Sequence, residues 1–256
     1  MLAFIAPGQG AQTPGMLTPW IAKPEALELL KAWSAEIDLD LLRLGTTADA
    51  DEIKDTANAQ PLIVAAGLLG ARALSDYRFA VVAGHSVGEI TAAALAGVIS
   101  EIDAMKLVRV RGVEMAKAAA LKPAGMAAVL GGERTVVLKA ISDLGLVAAN
   151  DNGAGQIVAA GDLDALAQLA PDGARVRALA VAGAFHTSYM HSAVEPLRAL
   201  AAQLNVAVAK CGVISNKDGA VITDGREILD RIVAQISNPV RWDLCMTTLA
   251  EHSSGA

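Results

Sequence analysis

Ser86 lies in the run "VVAGHSVGEI", residues 81–90, flanked by glycines in the pattern G-x-S-x-G. A serine hydroxyl is a poor nucleophile at neutral pH and becomes one only when a base within hydrogen-bond reach takes its proton. A sharp strand-to-helix turn would expose the hydroxyl at the end of a strand and set it at a helix N-terminus. The same turn would aim the amide of the next residue, Val87, at a developing oxyanion. Gly84 and Gly88 fall where a side chain would obstruct that turn. The alternative is a small residue filling a tight bend, since short runs of small residues match the pattern by chance. Strand-like residues before the turn and helix-like residues after it favour the nucleophile, and acyl transfer is the chemistry that such a serine performs.

Four histidines could supply the base: His85, His186, His191 and His252. His85 adjoins Ser86, and neighbouring side chains at such a turn point apart. His252 falls in the polar last turn of a terminal helix, where a solvated role is the simpler one. His191 follows His186 by five residues and is expected on another helical face. His186, in "GAFHTSYM", sits where a strand of a small unit gives way to a helix of a larger one, and such junctions hold clefts. A structural histidine remains the alternative to the base.

Arg111 shares a helical stripe with Leu107, Val108 and Met115, so it points toward the interior while Lys106 and Arg109 can face water. A buried guanidinium is costly without an anion. From pattern alone that anion is an internal carboxylate or the carboxylate of a substrate, for which the planar fork of arginine is suited.

The elements that must position these residues alternate. "MLAFIA" and "FAVVAG" read as buried parallel strands, the first ending in the loop "PGQGAQTPG". Helices are expected over "KPEALELLKAWSAEI", "PLIVAAGLLGARAL", "EITAAALAGVI" and residues 103 to 121, the last capped by Asp103. From residue 123 the pattern runs strand, helix, strand, strand, helix, strand, with "DNGAG" as the hairpin signal. That order is ferredoxin-like. It predicts a small domain over residues 123–182 inserted into a large α/β domain of residues 1–122 plus 183–256, with a mainly parallel sheet. The last helix is expected over "NPVRWDLCMTTLAEH".

Composition narrows the function classes. Hydrophobic residues make up 54% of the 256 positions, charged residues 19% and aromatics 3%, as expected of a globular protein with closely packed helices. The formal charge of −6 disfavours a general grip on nucleic acid. Two distant cysteines, Cys211 and Cys245, without any Cys/His cluster, predict no metal and a reduced, cytoplasmic setting. The N-terminus lacks a basic region and its apolar run breaks at Pro7, so no signal peptide is expected; no membrane span is expected either.

The segments "PGQGAQ", "AGHSVGE", "RGVEM", "AFH", "SNKDG" and "QISNPVRW" appear in this order along essentially the whole chain. In this the sequence resembles the malonyl-CoA:acyl carrier protein transacylases of fatty-acid synthesis, most of all their actinobacterial forms. The resemblance implies an α/β hydrolase-like body with an inserted ferredoxin-like domain. It implies that Ser86 is the acylated nucleophile, His186 the catalytic base and Arg111 the partner of malonate's free carboxylate. It also implies an oxyanion hole made of the Gln9 and Val87 amides. The main-chain carbonyl of Gln235 would orient the histidine, with no aspartate completing a triad. Phe185 and "GHSVG" resemble malonyl-selecting forms, whereas methylmalonyl-selecting relatives carry other residues at both places.

The implied partners are malonyl-CoA and phosphopantetheinylated acyl carrier protein, with no metal or redox cofactor, and a monomer is expected. The family normally continues past the last helix with a strand, a "PG" loop and another helix, and the segment before "FAVVAG" is short by comparison. A serine esterase or thioesterase, a malonate decarboxylase transacylase subunit and a non-catalytic carrier-docking module are the alternatives. The interior Arg111, the "PGQGAQ" loop and the lack of an acidic triad partner disfavour the esterase. The presence of both Ser86 and His186 disfavours the docking module.

Overall fold

The computed structural model describes residues 2–181 and 183–254, so Ala182 and Ala256, which limit the two expected domains, lie outside the described residues. Strand β1 (Leu2–Ala6) is followed by four helices, α1 (Thr18–Ile21), α2 (Pro24–Ile37), α3 (Leu41–Thr46) and α4 (Thr56–Ala73). Next come β2 (Phe79–Gly84), α5 (Gly88–Leu95) and α6 (Glu101–Leu121). The middle of the chain gives β3 (Ala124–Gly131), α7 (Arg134–Asp143), β4 (Val147–Gly153), β5 (Gln156–Asp162), α8 (Leu163–Gln168) and β6 (Ala174–Ala178). The remainder is α9 (His191–Ala201), β7 (Gly212–Ile214), β8 (Val221–Ile222), α10 (Gly225–Gln235), β9 (Val240–Arg241) and α11 (Trp242–Ser254).

These elements build two sheets. The first runs β1-β2-β7-β8, with β1, β2 and β7 parallel and only the short β8 antiparallel. The interior side chains of α2, α4, α5 and α6, among them Leu30, Trp33, Ile63, Leu68, Ile90 and Met105, form one continuous core with Val82 of β2. The second sheet runs β6-β3-β5-β4-β9 and is antiparallel except where β9 joins β4. It has its own core of Val129, Val137, Ile141, Ile157 and Leu169.

Three local features differ from the sequence expectations. Residues 240–241, expected within the last helix, instead form β9 and pair with Asn150 and Asp151 of β4, so the later part of the chain contributes a strand to the small sheet. Helix α6 begins two residues early. Its cap is Ser100 rather than Asp103: the Ser100 hydroxyl accepts from the Asp103 amide at 3.0 Å and donates to the Asp103 carboxylate at 2.7 Å. Helix α4 starts at Thr56 and carries Pro61 inside it. Proline removes the amide that would bond the carbonyl four residues back, and Arg109 Nη1 donates to that Ala57 carbonyl instead, at 3.2 Å. The "DNGAG" hairpin forms with its centre at Ala154 and Gly155, whose φ values of +46° and +78° suit the tight two-residue turn.

Candidate active site

Sequence dictates the turn that carries Ser86. A Cβ on Gly84 would lie 1.9 Å from the Gly88 carbonyl carbon, and one on Gly88 would lie 2.6 Å from the Ala6 oxygen. A side chain at Gly84 would push β2 away from α5, and one at Gly88 would push α5 away from β1. Ser86 itself adopts a left-handed φ of +52°, a conformation that persists in a non-glycine residue when its surroundings over-determine it. Asn216, just beyond β7, supplies that constraint. Its Oδ1 accepts from the Ser86 amide at 2.7 Å and its Nδ2 donates to the Gly84 carbonyl at 2.8 Å.

His186 faces Ser86 from the turn before α9. It too is left-handed, at φ +62°, and its amide donates to the Ile236 carbonyl at 3.0 Å. Ser86 Oγ lies 2.8 Å from His186 Nε2. On the other side of the ring, Nδ1 lies 2.8 Å from the Gln235 main-chain carbonyl. A carbonyl only accepts, so Nδ1 carries the proton and Nε2 is left as the acceptor for the serine hydroxyl. Burial, and then the charge of Arg111, push His186 down to about 3, so the ring is neutral at pH 7, as a proton acceptor must be.

Arg111 completes the constellation and is 1% exposed. Its Nη1 donates to Gln60 Oε1 at 2.7 Å, and its Nη2 donates to Gln235 Oε1 at 2.8 Å and to Ser86 Oγ at 3.2 Å. All three partners are neutral, while Nε has no hydrogen-bond partner among the described residues. Burial lowers the guanidinium to about 10 and the charge of Glu89 works against that fall, so Arg111 stays cationic at pH 7. A buried cation held by amides and a hydroxyl keeps its charge available to an incoming anion, one hydrogen bond from Ser86 Oγ.

The other candidates sit around these four. Gln9 reaches Thr56 Oγ1 through its Nε2 at 3.2 Å, and its Oε1 faces Gln60 Nε2 at 3.4 Å, tying the "PGQG" loop to the residue that holds Arg111. Val87 is fully buried at the start of α5. Neither the Gln9 nor the Val87 amide is taken by an acceptor among the described residues. Phe185 is buried beside His186.

The remaining histidines lie elsewhere. His85 Nε2 is 2.9 Å from Asn152 Oδ1, and its ring packs edge-on to Trp242. His191 opens α9 on the exposed side, and His252 Nδ1 pairs with the Thr248 carbonyl. Among the described residues no group of three His, Cys, Asp or Glu could hold a metal ion, and no helix is long and apolar enough to cross a membrane.

Three further residues bear on the site and were not singled out from sequence: Gln60, Asn216 and Glu89. Glu89 is 3% exposed. Its two carboxyl oxygens accept from the Asn216 main-chain N–H and from Gln235 Nε2, both at 2.5 Å. Burial pushes its carboxyl up to about 8, against the Asn216 amide, the Arg111 charge and the Gln235 bond. A charged residue inside the apolar window that follows Ser86 was the available signal for Glu89. Gln60 had none, because it precedes Pro61, where the helix was expected to begin.

Comparison with known proteins identifies the family. The acyl transferase domain family model matches residues 3–255. The malonyl CoA-acyl carrier protein transacylase of Mycobacterium tuberculosis (strain H37Rv) is 54% identical over 261 residues, covering 99% of this chain and 86% of that protein. The crystal structure of the Mycobacterium tuberculosis MCAT superposes with a TM-score of 0.95 at 53% identity, covering 98% of this chain and 86% of that one. A solved complex of a type II PKS acyl-carrier protein with its malonyl-transacylase gives a TM-score of 0.91 at 27% identity, with 98% and 86% covered. The chain belongs to the acyl transferase family, among the malonyl CoA-acyl carrier protein transacylases.

Proposed function

We propose that this chain moves a malonyl group from coenzyme A to the phosphopantetheine thiol of acyl carrier protein, through a malonyl ester on Ser86. His186 Nε2 takes the Ser86 proton as Oγ attacks the thioester carbonyl. The Gln9 and Val87 amides receive the oxyanion. The tetrahedral intermediate collapses, the carbon–sulfur bond breaks, and the coenzyme A thiolate leaves with the proton returned by His186. The phosphopantetheine thiol then attacks the ester, giving its proton to His186, and as the carbon–oxygen bond breaks His186 returns that proton to Ser86 Oγ and malonyl leaves as the new thioester. The Gln235 carbonyl keeps the imidazole in the tautomer that both halves need.

The observation that carries this assignment is the Arg111 guanidinium, fully buried, held by neutral groups and 3.2 Å from Ser86 Oγ. An acyl chain bound to that oxygen and ending in a carboxylate would meet a cation without a counter-ion. Phe185 would close the pocket against a larger acyl group. The order β6-β3-β5-β4, with α7 and α8, supports reading residues 123–182 as a ferredoxin-like domain inserted in an α/β hydrolase-like body. The reaction requires no metal or redox cofactor, and we place the enzyme in the cytoplasm as a monomer acting on soluble substrates.

Intact-mass measurement tests the proposal. Malonyl-CoA should add one malonyl group to the protein, holo acyl carrier protein should remove it, and Ser86→Ala should take up none. Labelling that survives in Ser86→Ala would place the nucleophile elsewhere.

A further inference from the structure

Glu89 carries a buried carboxyl group that the reaction above does not use. It touches neither Ser86 Oγ nor the His186 ring, yet two residues that organise the site converge on it. Its two oxygens accept from the Asn216 amide and from Gln235 Nε2, both at 2.5 Å. Asn216 holds the Ser86 amide. Gln235 offers its main-chain carbonyl to His186 and its side-chain Oε1 to Arg111.

The Gln235 side chain is the informative member, because an amide has two unlike ends. Its Nε2 faces three acceptors: Glu89 Oε2, the Ser86 carbonyl at 3.1 Å and Asn216 Oδ1 at 3.1 Å. Its Oε1 faces the guanidinium of Arg111. Turned over, the amide would set N–H against N–H at Arg111 and oxygen against oxygen at Glu89, with both groups buried and unable to turn to water. The contact with Glu89 is the shortest of the three, and the other Glu89 oxygen is already held by the Asn216 main-chain N–H.

We propose that Glu89 is the positioning residue that fixes the orientation of the Gln235 amide, so that Arg111 is held by a neutral acceptor and keeps its charge for the carboxylate of the acyl group. One residue of separation does the work. A carboxylate in direct contact with Arg111 would neutralise it and occupy the place of the substrate. Through the amide, Glu89 orders the guanidinium without pairing with it. The inference rests on the malonyl-transfer reading, because it concerns selection of a carboxylate-bearing acyl group.

Glu89→Gln is the direct test. The Asn216 amide is a fixed donor, so the substituted side chain must turn its carbonyl there and its NH2 toward Gln235 Nε2, which drives the Gln235 amide to turn over. Loading is followed with malonyl-CoA and acetyl-CoA separately. The expected result is a rise of about tenfold in KM for malonyl-CoA, the scale of one charge-assisted hydrogen bond. The kcat/KM for acetyl-CoA should change less than about threefold, so the malonyl-to-acetyl ratio falls. In a Gln235→Met background, where no amide remains to be turned, Glu89→Gln should leave the ratio unchanged. A ratio within about threefold of wild type in Glu89→Gln overturns the proposal, as does an equal fall in the Gln235→Met background. Should Glu89→Gln not fold, Glu89→Asp carries the same comparison. The shorter carboxylate withdraws from Gln235, and the ratio should fall at least about threefold, again only while Gln235 is present. Failure of the malonyl-transfer reading is separate: wild-type protein would not load malonyl, or Arg111→Ala would leave the ratio untouched.

Discussion

Arg111 Nη2 stands 3.2 Å from the Ser86 hydroxyl oxygen and shares Gln235 with His186, one on the side-chain oxygen and the other on the main-chain carbonyl. The cation thereby borders both the candidate nucleophile and the candidate base, and its charge is one of the causes that hold His186 down.

Arg111→Ala separates these effects. Without the guanidinium a malonyl carboxylate is buried unpaired, at about 2–5 kcal/mol for such a charge pair. Malonyl loading should therefore fall by roughly 30- to 5,000-fold. Acetyl-CoA brings no carboxylate, and His186 becomes more basic once the neighbouring cation is gone, so the slow acetyl reaction should hold steady or improve. Parallel loading rates for the two substrates decide the matter. Equal losses on both would make Arg111 a structural residue.

His186→Ala should slow acylation by at least about a hundredfold, the usual effect of removing a positioned proton acceptor. His191→Ala and His252→Ala should acylate at near-normal rates, because neither ring is within the site. Stopped-flow measurement of coenzyme A release distinguishes the three variants. A normal rate in His186→Ala, with loss in one of the others, would refute the assignment.

The same histidine should leave a mark on acid stability. Its folded value of about 3 lies below the ordinary 6.5. On lowering the pH, the unfolded chain takes up a proton near 6.5 that the folded chain refuses until about 3. Between those values the native state loses about tenfold in its folding equilibrium per pH unit on this account. Glu89 acts in the opposite sense, because its folded value of about 8 exceeds the ordinary 4.5 and its contribution falls as pH rises. That contribution is common to wild type and His186→Gln and cancels between them. Urea midpoints at pH 7 and pH 4.5 should thus fall further for wild type than for His186→Gln. Parallel shifts in the two proteins would count against a buried neutral imidazole.

Sequence revealed those parts of the site that rest on local geometry. A glycine two residues either side of Ser86 is a requirement of a turn in which β2 and α5 nearly touch, so the turn that carries the candidate nucleophile could be read from five letters. The interior position of Arg111 followed from helical spacing, since the whole of α6 carries the pattern. The parts hidden from sequence depend on contacts between distant segments. Asn216 reaches Ser86 across 130 positions, and nothing in "SNKDG" alone says where its side chain points. Gln60 was lost to a misplaced helix start, because Pro61 looks like a beginning until Arg109 is seen to bond the carbonyl that proline leaves free. Strand β9 is two residues long, too short for any periodicity.

That short strand has a consequence for how the protein is made. Val240 pairs with Asn150, ninety residues earlier. At the usual pace of synthesis, about 5–20 residues per second, those ninety residues take on the order of 5–20 s to emerge. From the emergence of β6, which ends at Ala178, the rest of the sheet can form, while β4 keeps an unpaired edge until β9 follows. An open edge invites pairing with another chain, so the nascent protein is most exposed to misassembly on crowded ribosomes before residue 240 emerges, and slowing translation over residues 155–240 should increase aggregation more than slowing it over residues 1–120.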